Sequence, residues 1–325
     1  MKKVFLTALS LLAFASCNND CVVDAPAPAA IEFEDSFVEI KTRAAIDPSI
    51  TTATIDAFDV WGFMNAPTGV VFNCDRVSKG ANGWKYKNIQ YWTPNNNYYF
   101  AAVAPVDDSN ITVDASGMNT TGLGKISFTN AAGTCDLLYA TKNVTTGNVI
   151  ADKPEAVKLQ FAHLLSKIKF TFTNGFPNPY TTVNVTNVCI SNAPKSGEIN
   201  LAQEGWYTNN AWTITEAGAT INFGNIDTAN GFAQGESAFS EYERFTIPAD
   251  ANRSYTISFD VELIHGDQTA NVVTKTVELS GVEFKIGKSY NLKADITPAN
   301  LGLVPIEFEV VVEDWVPAEP DVTVM

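Results

Sequence analysis

The rhythm of its apolar residues constrains this chain most. From residue 55 onward, short runs of aromatic and aliphatic side chains recur at 55–64 (IDAFDVWGFM), 98–104 (YYFAAVA) and 137–141 (LLYAT). Clusters of Gly, Asn and Pro separate them at 66–69, 79–83 and 93–97. Such runs have strand length, and their punctuation is turn chemistry. Their regular spacing predicts an all-β fold of antiparallel sandwiches rather than strands alternating with helices. Further strand-like runs follow at 181–191, 244–248, 254–265, 272–279, 289–296 and 306–315, whereas the Gly-, Ala-, Asn- and Thr-rich stretch 205–235 reads as loop. No internal repeat is apparent.

Residues 154–172 (PEAVKLQFAHLLSKIKFTF) fit two patterns. Val157, Phe161, Leu164, Leu165 and Ile168 would share a helical face. Val157, Leu159 and Phe161, then Ile168, Phe170 and Phe172, would instead make two strands around a turn at 162–167. Lys167 and Lys169 alternate with apolar neighbours, which favours the strands. At 325 residues the chain has room for two domains, each with its own core, divided as 44–160 and 161–325.

The first 43 residues stand apart. Lys2 and Lys3 precede the apolar run 4–15, which has the length of a signal peptide and not of a membrane span. Ala15-Ser16-Cys17 resembles a bacterial lipoprotein box, so residues 1–16 are expected to be removed and Cys17 to carry diacylglycerol and an acyl chain. The alternative is an ordinary signal peptide cut nearby. An Ala- and Pro-rich tether follows, then a strand-like stretch at 30–40 with Ile31 and Phe33 on one face and Val38 and Ile40 on the other.

Net charge is −15, and −13 once residues 1–43, with four basic and six acidic side chains, are removed. Nucleic acid is therefore not an expected partner. Cys21, Cys74, Cys135 and Cys189 show neither C-x-x-C spacing nor a nearby histidine, so buried free thiols are expected and no metal site. His163 lies in a turn without a nucleophile motif, and His265-Gly266-Asp267 reads as a hairpin turn. Gly122-Leu123-Gly124-Lys125 lacks phosphate-loop spacing, and the pairs Asp107-Asp108 and Glu313-Asp314 lie in loops or at a strand end. These residues point to no catalytic site and no cofactor, hence not to an enzyme. Trp84, Tyr86, Tyr91 and Trp92, and separately Trp206, Tyr207 and Trp212, would build sugar-stacking platforms if exposed and core if buried.

Several motifs occur in order: the lipoprotein start, Thr42-Arg43-Ala44, Tyr91-Trp92-Thr93-Pro94 leading into 98–105, Phe161-Ala162-His163-Leu164-Leu165-Ser166-Lys167, Gly287-Lys288-Ser289-Tyr290 and Val312-Glu313-Asp314-Trp315. Together they resemble the fimbrillin family of Bacteroidales, the subunits of type V pili. The resemblance implies two transthyretin-like antiparallel β-sandwich domains in tandem. It also implies a lipid anchor in the outer membrane, a place in a surface fimbrium that supports adhesion, and an arginine-specific protease as partner. Other pilus subunits, identical or different, would be the remaining partners. Carried onto this chain, cleavage falls between Arg43 and Ala44, removes the first strand and opens a groove for a strand from a neighbouring subunit. Ile306, Phe308, Val310 and Val312 present an apolar face for that donor strand, with Val322 and Val324 beyond; the alternative is that 306–315 is the ordinary last strand of the second domain. Asp227-Thr228-Ala229 resembles an O-glycosylation motif of Bacteroidetes. The alternative function is a surface lipoprotein that binds glycans and does not polymerise.

Overall fold

The computed structural model describes residues 28–34, 47–151, 154–207, 211–226, 230–265, 268–302 and 304–315. Cys17, Cys21, Arg43, Ala44, Val322, Val324 and the Asp227-Thr228-Ala229 motif lie outside them. The first half contributes strands β1 (Ala57–Met64), β2 (Val70–Gly80), β3 (Gly83–Lys85), β4 (Asn97–Ala104), β5 (Ile111–Asp114), β6 (Lys125–Thr129), β7 (Leu138–Thr145) and β8 (Ala162–His163). The second half contributes β9 (Ser166–Asn174), β10 (Thr181–Asn200), β11 (Trp212–Ile226), β12 (Ser237–Phe239), β13 (Arg244–Thr246), β14 (Tyr255–His265), β15 (Gln268–Leu279), β16 (Lys288–Ile296) and β17 (Glu309–Asp314). A four-residue helix, α1 (Pro298–Leu301), precedes β17.

These strands form three sheets, in the orders β3-β2-β1-β4-β7-β8, β15-β14-β10-β6-β5 and β12-β9-β16-β17; β11 joins β10 and β13 joins β9 from the side. The fold is all-β, as the run pattern predicts. Pairing is antiparallel except between β9 and β16, which run parallel from Lys167↔Ser289 to Asn174↔Ile296. Both are internal strands of their sheet, and β9 is buried along most of its length, the environment in which parallel pairs occur. Of the two strands expected in 154–172, the second is present within β9, but 154–161 carries only isolated bridges, such as that of Val157 to Phe33, and β8 and the start of β9 occupy the stretch expected to turn.

Burial explains the strands without alternation. In β4, Tyr98, Phe100, Ala102 and Ala104 face one core while Ala101 and Val103 face another, so both sides of the strand are covered. The first core lies within the first half and includes Phe58, Val60, Phe72 and Phe161. A second, built on Phe170, Phe172, Phe223 and Phe259, lies within the second half. The third joins the halves through Trp61, Leu137, Leu164, Leu165, Trp206, Trp212, Phe245 and Trp315. The long strand β10 spans both regions: residues 181–191 pair with β14, and Ser196–Asn200 pair with Thr129–Lys125 of β6. The 205–235 stretch, expected as loop, contains the fifteen-residue strand β11.

Candidate functional site

A short segment from the N-terminal end of the chain fills a slot in the first half. Ile31 and Phe33 are 1% and 6% exposed, and the glutamates between and after them are not buried. This alternation is what a strand needs to cover a core with one face and meet solvent with the other. Phe33 meets Phe58, Phe72, Tyr86 and Phe100 edge-on, with centroid separations of 5.7 to 6.2 Å. Such T-shaped contacts place the positive edge of one ring against the negative face of the next.

The segment's backbone is held from both sides. Toward 90–92, Ile31 N donates to Gln90 O (2.8 Å) and Trp92 N donates to Ala29 O (2.9 Å). Toward the other side, Val157 N donates to Glu32 O (2.7 Å) and Glu34 N donates to Val157 O (3.3 Å). Tyr86 Oη adds a bond to Ile31 O (2.6 Å), and burial pushes its phenol up, which keeps that donor protonated. Lys158 Nζ lies 2.9 Å from Glu34 Oε1 at the surface. Residues 29–34 are therefore an extended segment, bridged through Ala30 to Tyr91 and through Phe33 to Val157, that closes the first core against β1, β2 and β4. Burying two such side chains contributes roughly 1.5–3 kcal/mol each. Removing the segment would take one hydrogen bond from each of five backbone or hydroxyl groups as well, of which Tyr86 Oη and Gln90 O would keep their bond to each other.

The chain resumes after Arg43 in a very different setting. Lys167 Nζ donates to Asp47 Oδ2 (2.8 Å) and stands 2.9 Å from Glu243 Oε2, though outside hydrogen-bonding direction for the latter. It also lies 5.0 Å from the ring of Trp315. Burial raises the Asp47 carboxyl, but attraction to Lys167 and hydrogen bonds from Lys167 and Ser49 outweigh it, and the net shift is downward. Burial dominates at Glu243, whose carboxyl is pushed up despite Lys167. Next to this group, Ile50 N donates to Asp136 Oδ2 (2.9 Å), and the same carboxylate lies 2.9 Å from His163 Nδ1. His163 stacks on Trp315 at 3.8 Å, and Phe245 stacks on Trp315 at 5.2 Å. The residues just after the expected cut and the last described residue of the chain thus meet at the junction core. His163 is fully buried between Asp136 and Trp315.

Of the expected donor residues, Ile306 is buried and Phe308 packs edge-on against Phe170, Phe172 and Phe259. Val310 is half-buried and Val312 exposed. β17 is an edge strand paired only with β16, from Lys288↔Asp314 to Lys293↔Glu309. The aromatic residues offered as sugar platforms mostly face inward: Trp84, Trp92, Trp206 and Trp212 are all buried, and only Tyr91 is half exposed. Cys74, Cys135 and Cys189 are free, as expected, but none is buried: Cys74 is exposed and the other two are intermediate. Cys135 donates to Asp108, and Cys189 lies 3.0 Å from Ser258 Oγ. The sequence singled out Arg43 but gave no sign that Asp47, four residues on, would pair with Lys167.

The fimbrillin-like family model matches residues 42–315. Among solved structures, a fimbrial protein from Bacteroides vulgatus superposes with a TM-score of 0.63 at 16% identity, over 88% of this chain and 99% of that one. A candidate cell adhesion protein from Bacteroides ovatus superposes at 0.52 with 16% identity, over 91% and 100%. Another from Bacteroides eggerthii gives 0.52 at 12% identity, over 89% and 96%. At these identities the likeness speaks for the fold. No curated protein matches the sequence. The family match spans most of the chain, from the residue before Arg43 to Trp315, and the chain belongs to the fimbrillin-like family.

Proposed function

We propose that this chain is a structural subunit of a cell-surface fimbria, assembled by strand exchange and supporting adhesion. It is exported as a lipoprotein anchored to the outer membrane through Cys17, and an arginine-specific protease cuts it between Arg43 and Ala44. Two sandwich domains, 44–160 and 161–325, make up the mature body. The observation that carries the reading is the 29–34 segment: a strand with one fully apolar face, held in an aromatic slot, and joined to the rest of the chain through the stretch that contains Arg43.

Before cleavage the segment covers the slot and keeps the subunit monomeric. After cleavage it is no longer covalently attached, while the new N-terminal stretch remains fixed by Asp47 and Ile50. An unfilled slot exposes apolar surface and unpaired backbone groups, which an extended strand from a neighbouring subunit satisfies. The C-terminal segment bearing Ile306, Phe308, Val310 and Val312 is that strand's source. The other arginines are poor substrates: Arg76 sits in β2, clamped by Asp59 and Asp107, Arg244 opens β13, and Arg253 is held to Asn192 O.

The test is to treat the purified chain with an arginine-specific protease, sequence the new N-terminus and run unheated and heated samples on a gel. The reading expects Ala44 as the first residue and a ladder that collapses on heating, with Arg43→Ala remaining monomeric. A chain cut at Ala44 that stays monomeric, or an Arg43→Ala chain that still polymerises, would overturn it.

A further inference from the structure

The tetrapeptide Ile-Glu-Phe-Glu occurs twice in this chain, at residues 31–34 and again at 306–309. The expectation of no internal repeat thus needs correction at this short range. The first copy is the segment in the slot, and the second leads into β17. Their surroundings match in kind. Phe33 is edge-on to Phe58, Phe72, Tyr86 and Phe100, and Phe308 is edge-on to Phe170, Phe172 and Phe259. We infer that residues 306–309 mimic the removable strand, so that the emptied slot selects a second copy of this chain, with Ile306 where Ile31 lay and Phe308 where Phe33 lay. This rests on the strand-exchange reading and adds to it the identity of the partner and the register.

Three further observations support that register. It puts Pro305 at the position of Ala30, whose N–H makes none of the hydrogen bonds that hold the segment in its slot, so a proline there costs no hydrogen bond. It brings Glu309 to the position of Glu34, within reach of Lys158. It also puts Val304, now 55% exposed, at the position of Ala29, which packs against the first core.

Leaving home is favoured by how loosely the second copy is held. Among the described residues, the backbone of 305–308 makes no hydrogen bond in its own domain, whereas the segment in the slot makes five. A cavity of about 630 Å³, lined in part by Val277, Leu279, Val304 and Pro305, runs along the same segment. Apolar burial lost in the second half is regained in the slot, and hydrogen bonds are gained there. A chain that carries both slot and mimic builds a polymer of identical subunits.

The experiment measures fluorescence anisotropy of a labelled peptide of residues 304–314 added to the full chain, uncut and cut after Arg43. Saturable binding to the cut form alone is expected, competed by a peptide of residues 28–34. The Phe308→Ala peptide should bind roughly 20-fold more weakly or worse, and Val311→Ala, on the opposite face of the strand, within about 2-fold of the parent. Because the slot is wild type throughout, a folding defect cannot mimic these outcomes. If the cut chain polymerises and binds the 28–34 peptide but not the 304–314 peptide, the mimic is refuted and strand exchange stands. Equal loss from Phe308→Ala and Val311→Ala refutes the register. If the cut chain binds neither peptide and stays monomeric, strand exchange itself fails.

Discussion

Phe33 closes the uncut first half, and its truncation should be felt only while the segment is attached. Phe33→Ala removes a ring packed against four aromatic neighbours and should lower the stability of the uncut chain by about 3 kcal/mol. Thermal unfolding before and after cleavage is the check, because the cut and emptied forms of wild type and variant should melt together; a difference that survives cleavage would place Phe33 in the permanent core. The buried group around Lys167 makes a second prediction, through pH. Glu243 is shifted above its usual 4.5, so as pH falls through its folded value toward 4.5, proton uptake by the folded state adds stability. Asp47 is shifted below 3.8, so the stability it contributes is present above that value and is lost as pH falls through its lower folded value. Stability should therefore rise on mild acidification and drop only below about 3.8. Glu243→Gln should abolish the rise and keep the acid drop, as read from denaturation midpoints; a variant that retains the rise would assign it elsewhere.

β17 must come away from β16 if its leading residues are to be donated, and its position makes that affordable. It is bonded along one side only, and its six residues carry little buried surface. Hydrogen–deuterium exchange should find the amides of Glu309–Asp314 opening well before those of the internal strand β16; protection equal to that of β16 would mean that β17 is fixed in the second half. Strands such as β1, β4 and β14 were legible because their aromatic and β-branched residues carry the pattern by themselves. β11 was not: between Trp212 and Ala219 it presents Thr, Glu, Ala and Gly largely to solvent, and only pairing with β10 makes it a strand. The slot was half legible. Ile31 and Phe33 announce an apolar face, and Arg43 is the one arginine ahead of the first strong strand, but the ring of Phe58, Phe72, Tyr86 and Phe100 comes from four separated stretches that only the fold brings together.

For the whole molecule, the proposed assembly would have to bring like charges together. The body left after cleavage carries −13, and the segment 304–314 that would enter a neighbour's slot contains Glu307, Glu309, Glu313 and Asp314. Each encounter is thus repulsive at long range, while the contacts that reward it, Ile306 and Phe308 in an aromatic slot, are apolar. The two act at different distances and respond differently to salt. The screening length shrinks from about 30 Å at 0.01 M ionic strength to about 8 Å at 0.15 M, so repulsion between whole subunits fades across that range while contact burial is left nearly unchanged. Polymerisation of the cut chain should accelerate several-fold over it and then level off, and the temperature at which finished polymers dissociate should stay nearly constant. Light scattering after cleavage at a series of salt concentrations, with gel analysis of the products after stepwise heating, separates the two effects. A rate that falls with salt would mean that complementary patches steer subunits together against their net charge, and a dissociation temperature that falls with it would mean that ion pairs such as Lys158 with the incoming glutamate, rather than the buried rings, hold the fibre.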